Sequence, residues 1–448
     1  MLTVDAALTR LTHALAAAKA AGADAADAVY VGDASTQVSV RLGALEDIGR
    51  SEGEDIGLRV FVGARSASVS TSDLSMAALA AVVERAVAMA REAPEDAYAG
   101  LAPADRLLRD APLSLDLDDG GDPSAEILKA LALIAEDTAR GVAGVTNSEG
   151  GGASGGRAVM ALATSGGFAG GYRGTSYGVS ASVLAGSGGD MQRDYAYHSV
   201  RHFADLEAAD TIGIRAGTRA VARLNPIKLP SGPLPVVFDT RVSASLIGHL
   251  IGGITGSSIA RGTSFLIDAL HSAVFDSGID ILDEPHRIRG LRSRPFDGEG
   301  LPTAPRKLID AGVLTDWLMD SASARQLGLE PTGHASRGLA GPPGAGPTNV
   351  HMAAGSISRA DLLKGIKRGF LVTELIGMGV NGLTGDYSRG ASGFLIEDGE
   401  LGAAVAEVTI AGNLRDMFKA LTPADDLTFR QATNAPTLRI DGMTLAGA

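Results

Sequence analysis

Residues 57–71, "GLRVFVGARSASVST", alternate apolar residues with small or polar ones on both sides of a glycine. A period of two is typical of half-buried β-strands, and glycine between two such runs marks a turn. The stretch therefore predicts a β-hairpin that turns near Gly63 and Ala64. The residues before and after it are predicted to form further helices and strands.

Helical and strand-like segments flank the hairpin in a mixed order. The predicted elements are a helix over 3–21, strands over 27–32 ("DAVYVG") and 36–43 ("TQVSVRLG"), the hairpin, and a helix capped by Ser72 or Asp73 that ends at Ala93 before Pro94. This α-β-β-β-β-α order indicates an α+β fold rather than repeated βαβ units.

A proline-rich stretch in the middle of the chain indicates a domain boundary. Residues 225–235, "NPIKLPSGPLP", contain four prolines. The predicted elements before it are a helix over 124–139 with Ile127, Leu131 and Ile134 on one face, strands over 157–165 and 171–186, and a helix over 204–223. We expect an N-terminal α+β domain, residues 1–225, followed by a β-rich C-terminal domain, residues 226–448.

Composition excludes several classes of function. The 448 residues include 59 glycines and no cysteine, and the formal net charge is −13. Disulfides, thiolate catalysis and cysteine-bound zinc are therefore excluded. The acidic balance argues against nucleic-acid binding, and the one dense basic run, "HRIRGLRSR" (286–294), is typical of a solvated or acid-pairing loop. With no secretion signal or membrane span in the sequence, we expect a soluble cytoplasmic protein.

One histidine lies on a predicted apolar helix. Residues 244–264, "ASLIGHLIGGITGSSIARGTS", contain His249 among apolar and small residues. A single imidazole there could be a metal ligand or a catalytic base, and it could equally be a core residue with a satisfied hydrogen bond. The residues alone leave both interpretations open.

Two other motif-like patterns are weak. "GMGVNG" (377–382) fits a dinucleotide fingerprint, but "LTGDYSRGASGF" follows it where that motif needs a helix, which favours a glycine-rich turn. His198 and His202 are four residues apart and could share a helical face, with Asp190 or Asp194 nearby. One functional hypothesis is therefore an independent hydrolase whose active site contains these histidines.

Several stretches, in order along nearly the whole chain, resemble the TldD/PmbA family and more specifically its PmbA (TldE) branch. The N-terminal half contributes residues 57–75, the hairpin and the helix start after it. The C-terminal half contributes "RPFDGEGLPTAPRKLIDAGVL" (294–314), "SARQLGLEPTGHA" (323–335), "GVNGLTGDYSRGASGFLIEDGE" (379–400), "EVTIAGNLRDM" (407–417) and "PTLRI" (436–440).

The resemblance implies a peptidase complex in which the zinc belongs to the other chain. In this family the TldD-type chain binds zinc through an H-E-x-x-x-H helix and a cysteine near its C-terminus. Counted back from "RGTS" (261–264), the histidine positions fall on Ile247 and Gly252 and the glutamate position on Gly248. "FRQATNA" (429–435) stands where the cysteine is expected. We therefore expect neither a metal nor a catalytic residue in this chain, and a structural or partner-facing His249.

The leading hypothesis is a non-catalytic subunit of a TldD/TldE-type zinc metallopeptidase that degrades or processes unfolded peptides. Its partners would be a zinc-bearing TldD-type sister chain and the peptide, and the isolated chain could form a homodimer. Candidate contacts with substrate or partner are Thr384, Asp386, Ser388 and Arg389, although the same residues could form a tight turn cluster. The alternative is a stand-alone, non-enzymatic peptide-binding homodimer.

Overall fold

The computed structural model describes residues 1–447, and its first part is a six-stranded antiparallel sheet in the order β3-β2-β1-β4-β5-β6. The strands are β1 (Ala25–Arg41), β2 (Ala44–Val62), β3 (Arg65–Thr71), β4 (Val145–Thr164), β5 (Ala169–Ala185) and β6 (Gln192–Val200). The hairpin predicted at Gly63 and Ala64 is confirmed, since β2 and β3 pair on either side of these two residues.

Four helices cover one face of this sheet. They are α1 (Val4–Ala20), α2 (Met76–Glu92), α3 (Ala125–Arg140) and α4 (Ala209–Ala222). Alternate residues of the strands, such as Ala28 and Tyr30 on β1 and Ala161 on β4, pack beneath α1 and α2. Ala181 and Val183 on β5 pack beneath α3 and α4. The opposite face is partly covered: Val29 and Leu162 meet Phe296, and Tyr195 lies beneath the Arg241 guanidinium.

Two details of the predicted N-terminal part were wrong. The strands expected at 27–32 and 36–43 are one continuous strand, β1, because the residues between them stay paired with β2. The cap of α2 is Ser75, whose hydroxyl accepts from the Ala78 amide, rather than Ser72 or Asp73. Ile127 and Ile134 share a face of α3 as predicted, and this face is exposed. The buried residues of α3 are Leu128, Ala132, Ala135, Glu136 and Ala139.

The C-terminal part is rich in short strands, which confirms the α+β class. Its helices are α5 (Thr240–Ile254), α6 (Gly256–Ala260), α7 (Ser321–Leu327), α8 (Arg359–Leu363) and α9 (Leu414–Lys419). Its strands are β7 (Gly232–Phe238), β8 (Ile281–Asp283), β9 (Arg306–Asp310), β10 (Val313–Leu314), β11 (Ala335–Ser336), β12 (Gly344–Ala345), β13 (Val350–Met352), β14 (Arg368–Ile376), β15 (Asp386–Glu397), β16 (Glu400–Asn413), β17 (Leu421–Pro423), β18 (Thr433–Asn434) and β19 (Leu438–Ala446).

The largest sheet of this part has the order β16-β15-β14-β7-β19-β17, and a further pairing of β16 with β19 closes it on itself. Helix α5 packs against this sheet and against β13 and β18 of the five-stranded sheet β10-β9-β8-β13-β18. The division of the chain between residues 225 and 226 stays a prediction. None of the helices within residues 1–447 combines the length and the apolar character needed to cross a bilayer.

A buried ion cluster joins the two parts of the chain. Asp27 on β1 is 2% exposed and bonds both the Arg59 Nε (2.7 Å) and the Arg337 Nε (3.0 Å). Removing either partner would leave a buried charge uncompensated, which is strongly destabilising. This contact holds the N-terminal sheet against the segment that follows β11.

Candidate functional site

Helix α5 begins immediately after the buried strand β7. The Asp239 side chain caps it by accepting from the Arg241 amide (3.1 Å), which satisfies one of the free N–H groups of the first turn. The buried face of the helix carries Leu246, Leu250 and Ile254, which belong to the C-terminal core. The sequence folds as a helix here because these apolar residues recur every three or four positions.

The segment "RGTS" fixes the other end of this helix. The Ser264 hydroxyl donates to the Gly253 carbonyl oxygen (2.5 Å) and accepts from the Leu266 amide (2.9 Å). Ser264 is buried, so a carbonyl at the end of α5 that would lack a helical partner is satisfied away from water. This capping role explains why a serine stands at this position whether or not the helix binds a metal.

The three positions that the resemblance assigns to the metal site do not form one. Ile247 is 1% exposed and packs in the core, whereas Gly248 and Gly252 lie one turn apart on the open side of the helix. A Cβ built on either glycine meets no atom within 4 Å. The open face therefore presents bare backbone, with neither a nitrogen or sulfur ligand nor a carboxylate base.

His249 projects between α5 and β15. Its ring meets the Tyr387 ring edge-on, with 5.8 Å between centroids. Burial, helped by the positive charge of Arg389, lowers the pKa of His249 below its usual value. His249 Nε2 is buried and has no hydrogen-bond partner in the described part of the chain. A neutral imidazole in this position supplies one nitrogen at most, whereas a catalytic zinc needs three protein ligands.

The residues that replace the expected cysteine lie beside the same helix. Ser243 on α5 donates from its hydroxyl to the Ala435 carbonyl oxygen (3.2 Å), which places residues 429–435 along the first turns of α5. The Asn434 side chain accepts from the backbone amides of Arg430 and Gln431 and so stabilises the loop to which it belongs. Throughout residues 1–447, no three His, Cys, Asp or Glu side chains are grouped so that they could hold a metal ion. The donor set does not fit zinc.

The four predicted contact residues lie in one segment next to His249. Thr384 donates from its hydroxyl to Asp386 Oδ2 (2.7 Å), and the Asn413 side-chain amide donates to Asp386 Oδ1 (3.1 Å). These bonds lower the pKa of Asp386. Ser388 is exposed, and Arg389 is half-buried with its Nε directed to the Ile376 carbonyl oxygen (3.4 Å). Thr384 and Asp386 thus build the turn cluster, while Ser388 and Arg389 have side chains that a partner could reach.

The loop between β14 and β15, residues 377–385, is the turn that the sequence predicted for "GMGVNG". The Gly382 carbonyl oxygen accepts from the Phe265 amide (2.8 Å), which fastens the loop to the segment after α6. Three apolar side chains in this loop and at the end of β14 before it are exposed: Ile376 (56%), Met378 (89%) and Leu383 (57%). This apolar group lies in the same segment as Arg389.

The pair His198 and His202 does not share a helical face, so that spacing was misleading. His198 is on strand β6, and its Nδ1 accepts from the Glu207 amide (3.0 Å). His202 follows the strand and bonds the Asp116 carbonyl oxygen (2.9 Å). Asp194, proposed beside them, instead binds Arg241 (2.6 Å). These contacts make both histidines structural.

Three of the four arginines of residues 286–294 pair with acids or carbonyl groups. Arg289 bonds Asp116 (2.6 Å) and Asp205 (3.0 Å), and Arg287 bonds Glu284 (3.1 Å). This confirms the acid-pairing interpretation of the basic run.

Two buried carboxylates were missed from the sequence, although they lie in the quoted motif "RPFDGEG". Asp297 accepts from the amides of Glu299 and Leu301, and Glu299 accepts from the amide and hydroxyl of Ser321. Burial and the charge of Asp297 raise the pKa of Glu299 to about 7. The only feature of the sequence that could have indicated them is the presence of two acids in a glycine-rich stretch. Their burial could not be predicted, because it depends on segments that are distant in sequence.

Models of one protein family match most of the chain. A PmbA/TldA metallopeptidase domain 1 matches residues 26–90, the central domain matches 118–224, and the C-terminal domain matches 231–447. Together these three matches follow the chain from β1 to the end of β19. They cover the N-terminal sheet, the largest C-terminal sheet and the helix α5.

Relatives and solved structures extend this likeness over the full length. The Metalloprotease PmbA of Escherichia coli O157:H7 is 38% identical over 97% of this chain and 94% of its own, and the PmbA homologue of Haemophilus influenzae is 36% identical over 92% and 89%. A Bacteroides thetaiotaomicron protein named as a modulator of DNA gyrase superposes with a TM-score of 0.92, 26% identity and full coverage of both chains. TldE from Thermococcus kodakarensis, 20% identical, shares the fold with a TM-score of 0.84 over 98% of this chain and all of its own. The chain therefore belongs to the PmbA/TldD metallopeptidase family, on its PmbA (TldE) branch.

Proposed function

We propose that this chain is the non-catalytic subunit of a TldD/TldE-type zinc metallopeptidase that acts on unfolded peptides. One observation carries the proposal: at the three positions where a zinc ligand or a base is needed, α5 offers Ile247, Gly248 and Gly252. Hydrocarbon and hydrogen cannot bind zinc or accept a proton. The helix itself is retained, but these three positions carry no side chain that could bind zinc or act as a base.

In this proposal the zinc belongs to the sister chain, where it would lower the pKa of a bound water molecule. The role of this chain would be to position the peptide rather than to take part in the reaction. Two chains of one fold can associate about a pseudo-twofold axis and enclose a space between them. This subunit would complete the walls of that space and hold the peptide.

The surface best suited to the sister chain is the segment 376–389. Its exposed Ile376, Met378 and Leu383 offer apolar area of the kind that interfaces bury. Arg389 lies beside them, and a charged residue at the rim of an apolar patch gives orientation and specificity. The bare face of α5, with Gly248 and Gly252, lets another backbone approach closely.

The test measures zinc content by mass spectrometry and peptide cleavage for three samples: this chain alone, the zinc-bearing sister chain alone, and the mixture. We expect no stoichiometric zinc and no cleavage from this chain alone. The mixture should form a complex with one zinc per pair and cleave unfolded peptides faster than the sister alone. Addition of a chelator should abolish the cleavage.

Two outcomes would overturn the proposal. Stoichiometric zinc and activity in this chain alone would make it an enzyme in its own right. A stable homodimer that binds peptides but ignores the sister chain would favour the stand-alone peptide-binding protein.

A further inference from the structure

A cavity of about 250 Å³ lies between the end of the N-terminal sheet and the start of α5. Its walls are formed by β6, α4, the first turn of α5 and residues 428–435. We call it the arginine pocket, defined by Arg215, Arg219, Arg241 and Arg430 together with Tyr195 and Tyr197. Four guanidinium groups around one cavity are unusual in a chain of net charge −13.

Two carboxylates contact three of the four arginines. Glu207 bonds Arg215 (2.9 Å) and also pairs with Arg430. Asp194, 2% exposed, bonds Arg241 (2.6 Å). Within residues 1–447 the remaining arginine, Arg219, has one hydrogen bond, from Nη1 to the Tyr195 carbonyl oxygen (3.3 Å), and no carboxylate partner. The pocket therefore holds an excess of positive charge, four arginines against two carboxylates, and Arg219 is the arginine without a carboxylate contact.

The environment of Arg219 agrees with this geometry. Burial, and then the positive charge of Arg241, lower the pKa of Arg219 to about 10. The group stays charged at neutral pH but is poorly solvated and repelled by its neighbour. An anion in the pocket would relieve both costs, because a planar guanidinium binds a carboxylate through two parallel hydrogen bonds.

Two tyrosines connect the pocket to the open face of the sheet. Tyr195 and Tyr197 are stacked, with 6.2 Å between ring centroids, and both are more than one third exposed. In the antiparallel pairing of β5 with β6 they stand opposite Ser182 and Ser180. Gly152 on β4 pairs with Ser180 in turn. The surface that leads into the pocket thus includes serines and glycines, over which an extended backbone can lie.

We propose that the arginine pocket binds a carboxylate of a peptide chain, with Arg219 as the group that takes the charge. The carboxylate can be the C-terminus of the peptide or an acidic side chain, which are the same chemical group. The tyrosines and the serine- and glycine-rich face next to the pocket accommodate the adjoining residues. This inference rests on the proposed function only in taking a peptide as the occupant.

Binding is measured by isothermal titration calorimetry on this chain alone, without zinc or the sister chain. The probes are an acetylated Gly/Ser hexapeptide with a free C-terminus, the same peptide amidated, an amidated version with one internal glutamate, and inorganic phosphate. The variants are Arg219→Gln, Arg219→Lys and, as a matched control, Arg85→Gln, an exposed helical arginine on α2. Thermal unfolding of each variant confirms that it is folded.

We expect a carboxylate-bearing peptide to bind the unaltered chain at least tenfold more tightly than the neutral amidated one. Arg219→Gln should remove that difference, Arg219→Lys should retain part of it, and Arg85→Gln should retain all of it. Preference for the free C-terminus or for the glutamate identifies the source of the carboxylate. Equal binding of charged and neutral peptides, or binding of phosphate alone, would overturn the inference. Since assembly and cleavage play no part in this assay, its failure would leave the proposed function untouched.

Discussion

The imidazole of His249 and the ring of Tyr387 meet edge-on, with 5.8 Å between their centroids, and both side chains have a polar atom that is buried without a partner in residues 1–447. These atoms are the His249 Nε2 and the Tyr387 hydroxyl. Tyr387 is 1% exposed, and burial raises its pKa above the ordinary value. A buried polar atom without a hydrogen bond costs free energy, so this contact between α5 and β15 is a local weakness in the core.

The first prediction follows from that weakness. Tyr387→Phe removes the hydroxyl and keeps the ring, so the free energy of unfolding should stay the same or rise by about 1 kcal/mol. Tyr30→Phe is the matched control, because the Tyr30 hydroxyl donates to Glu54 (2.6 Å) and accepts from the Leu2 amide (2.9 Å). In urea denaturation, the free energy of unfolding of the control should fall by about 1 to 2 kcal/mol. Equal losses in the two variants would mean that Tyr387 has a partner after all.

The second prediction concerns the bare face of α5. Gly248→Ala and Gly252→Ala should each stabilise the isolated chain by roughly 0.5–1 kcal/mol, because alanine favours a helix interior and the added Cβ meets no atom within 4 Å. Gly253→Ala is the control on the same helix. Its Cβ would lie 3.0 Å from the buried Phe265 ring and 3.1 Å from Leu266, so this variant should lose about 1 kcal/mol. Denaturant unfolding of the three variants checks the contrast.

Local signals were enough to predict several of the N-terminal helices and strands, and they failed where burial depends on distant residues. The hairpin at Gly63 and the helix predicted over 124–139 follow from the periodicity of apolar residues alone. The exposure of Ile127 does not, because α3 buries its alanines and leucine against β1 and β4 and leaves the isoleucine outside. Periodicity identifies a shared face but does not say which face is covered.

The candidate site shows the same division. The absence of ligands at Ile247, Gly248 and Gly252 could be predicted, since it needs only residue identities. The neighbours of His249 could not, because Tyr387 and Arg389 lie on a strand more than a hundred residues later in the chain. The arginine pocket is similar, as its four arginines come from three separate segments.

The third prediction tests the segment 376–389 as an interface. Arg389→Ala and Met378→Ser should each weaken association with the zinc-bearing sister chain by about tenfold, since one removes a rim charge and the other an 89% exposed apolar side chain. Arg368→Ala, an exposed arginine at the other end of β14, is the control and should associate normally. Affinity is measured by surface plasmon resonance. Unchanged binding in both test variants would exclude this segment from the interface.

The fourth prediction concerns pH. Glu299 has a pKa raised from 4.5 to about 7, because it is buried and lies near Asp297. Between these two pH values the folded chain keeps the proton that the unfolded chain has lost, so stability falls as pH rises through this range. At about 1.4 kcal/mol per pH unit, the loss is on the order of 3 kcal/mol and is complete above pH 7.

Glu299→Gln should flatten this part of the profile. The glutamine oxygen can accept the same two bonds from Ser321, and it carries no charge at any pH. If the substitution lowers the free energy of unfolding equally at every pH, the plot of that free energy against pH shifts without a change of slope. Urea unfolding at pH values from 5 to 8 should therefore show a smaller decline in the variant than in the unaltered chain, whereas Glu84→Gln, at an exposed position on α2, should follow the unaltered chain. Parallel curves for Glu299→Gln and the unaltered chain would mean that Glu299 is ionised throughout, with Arg59 or another cation compensating it.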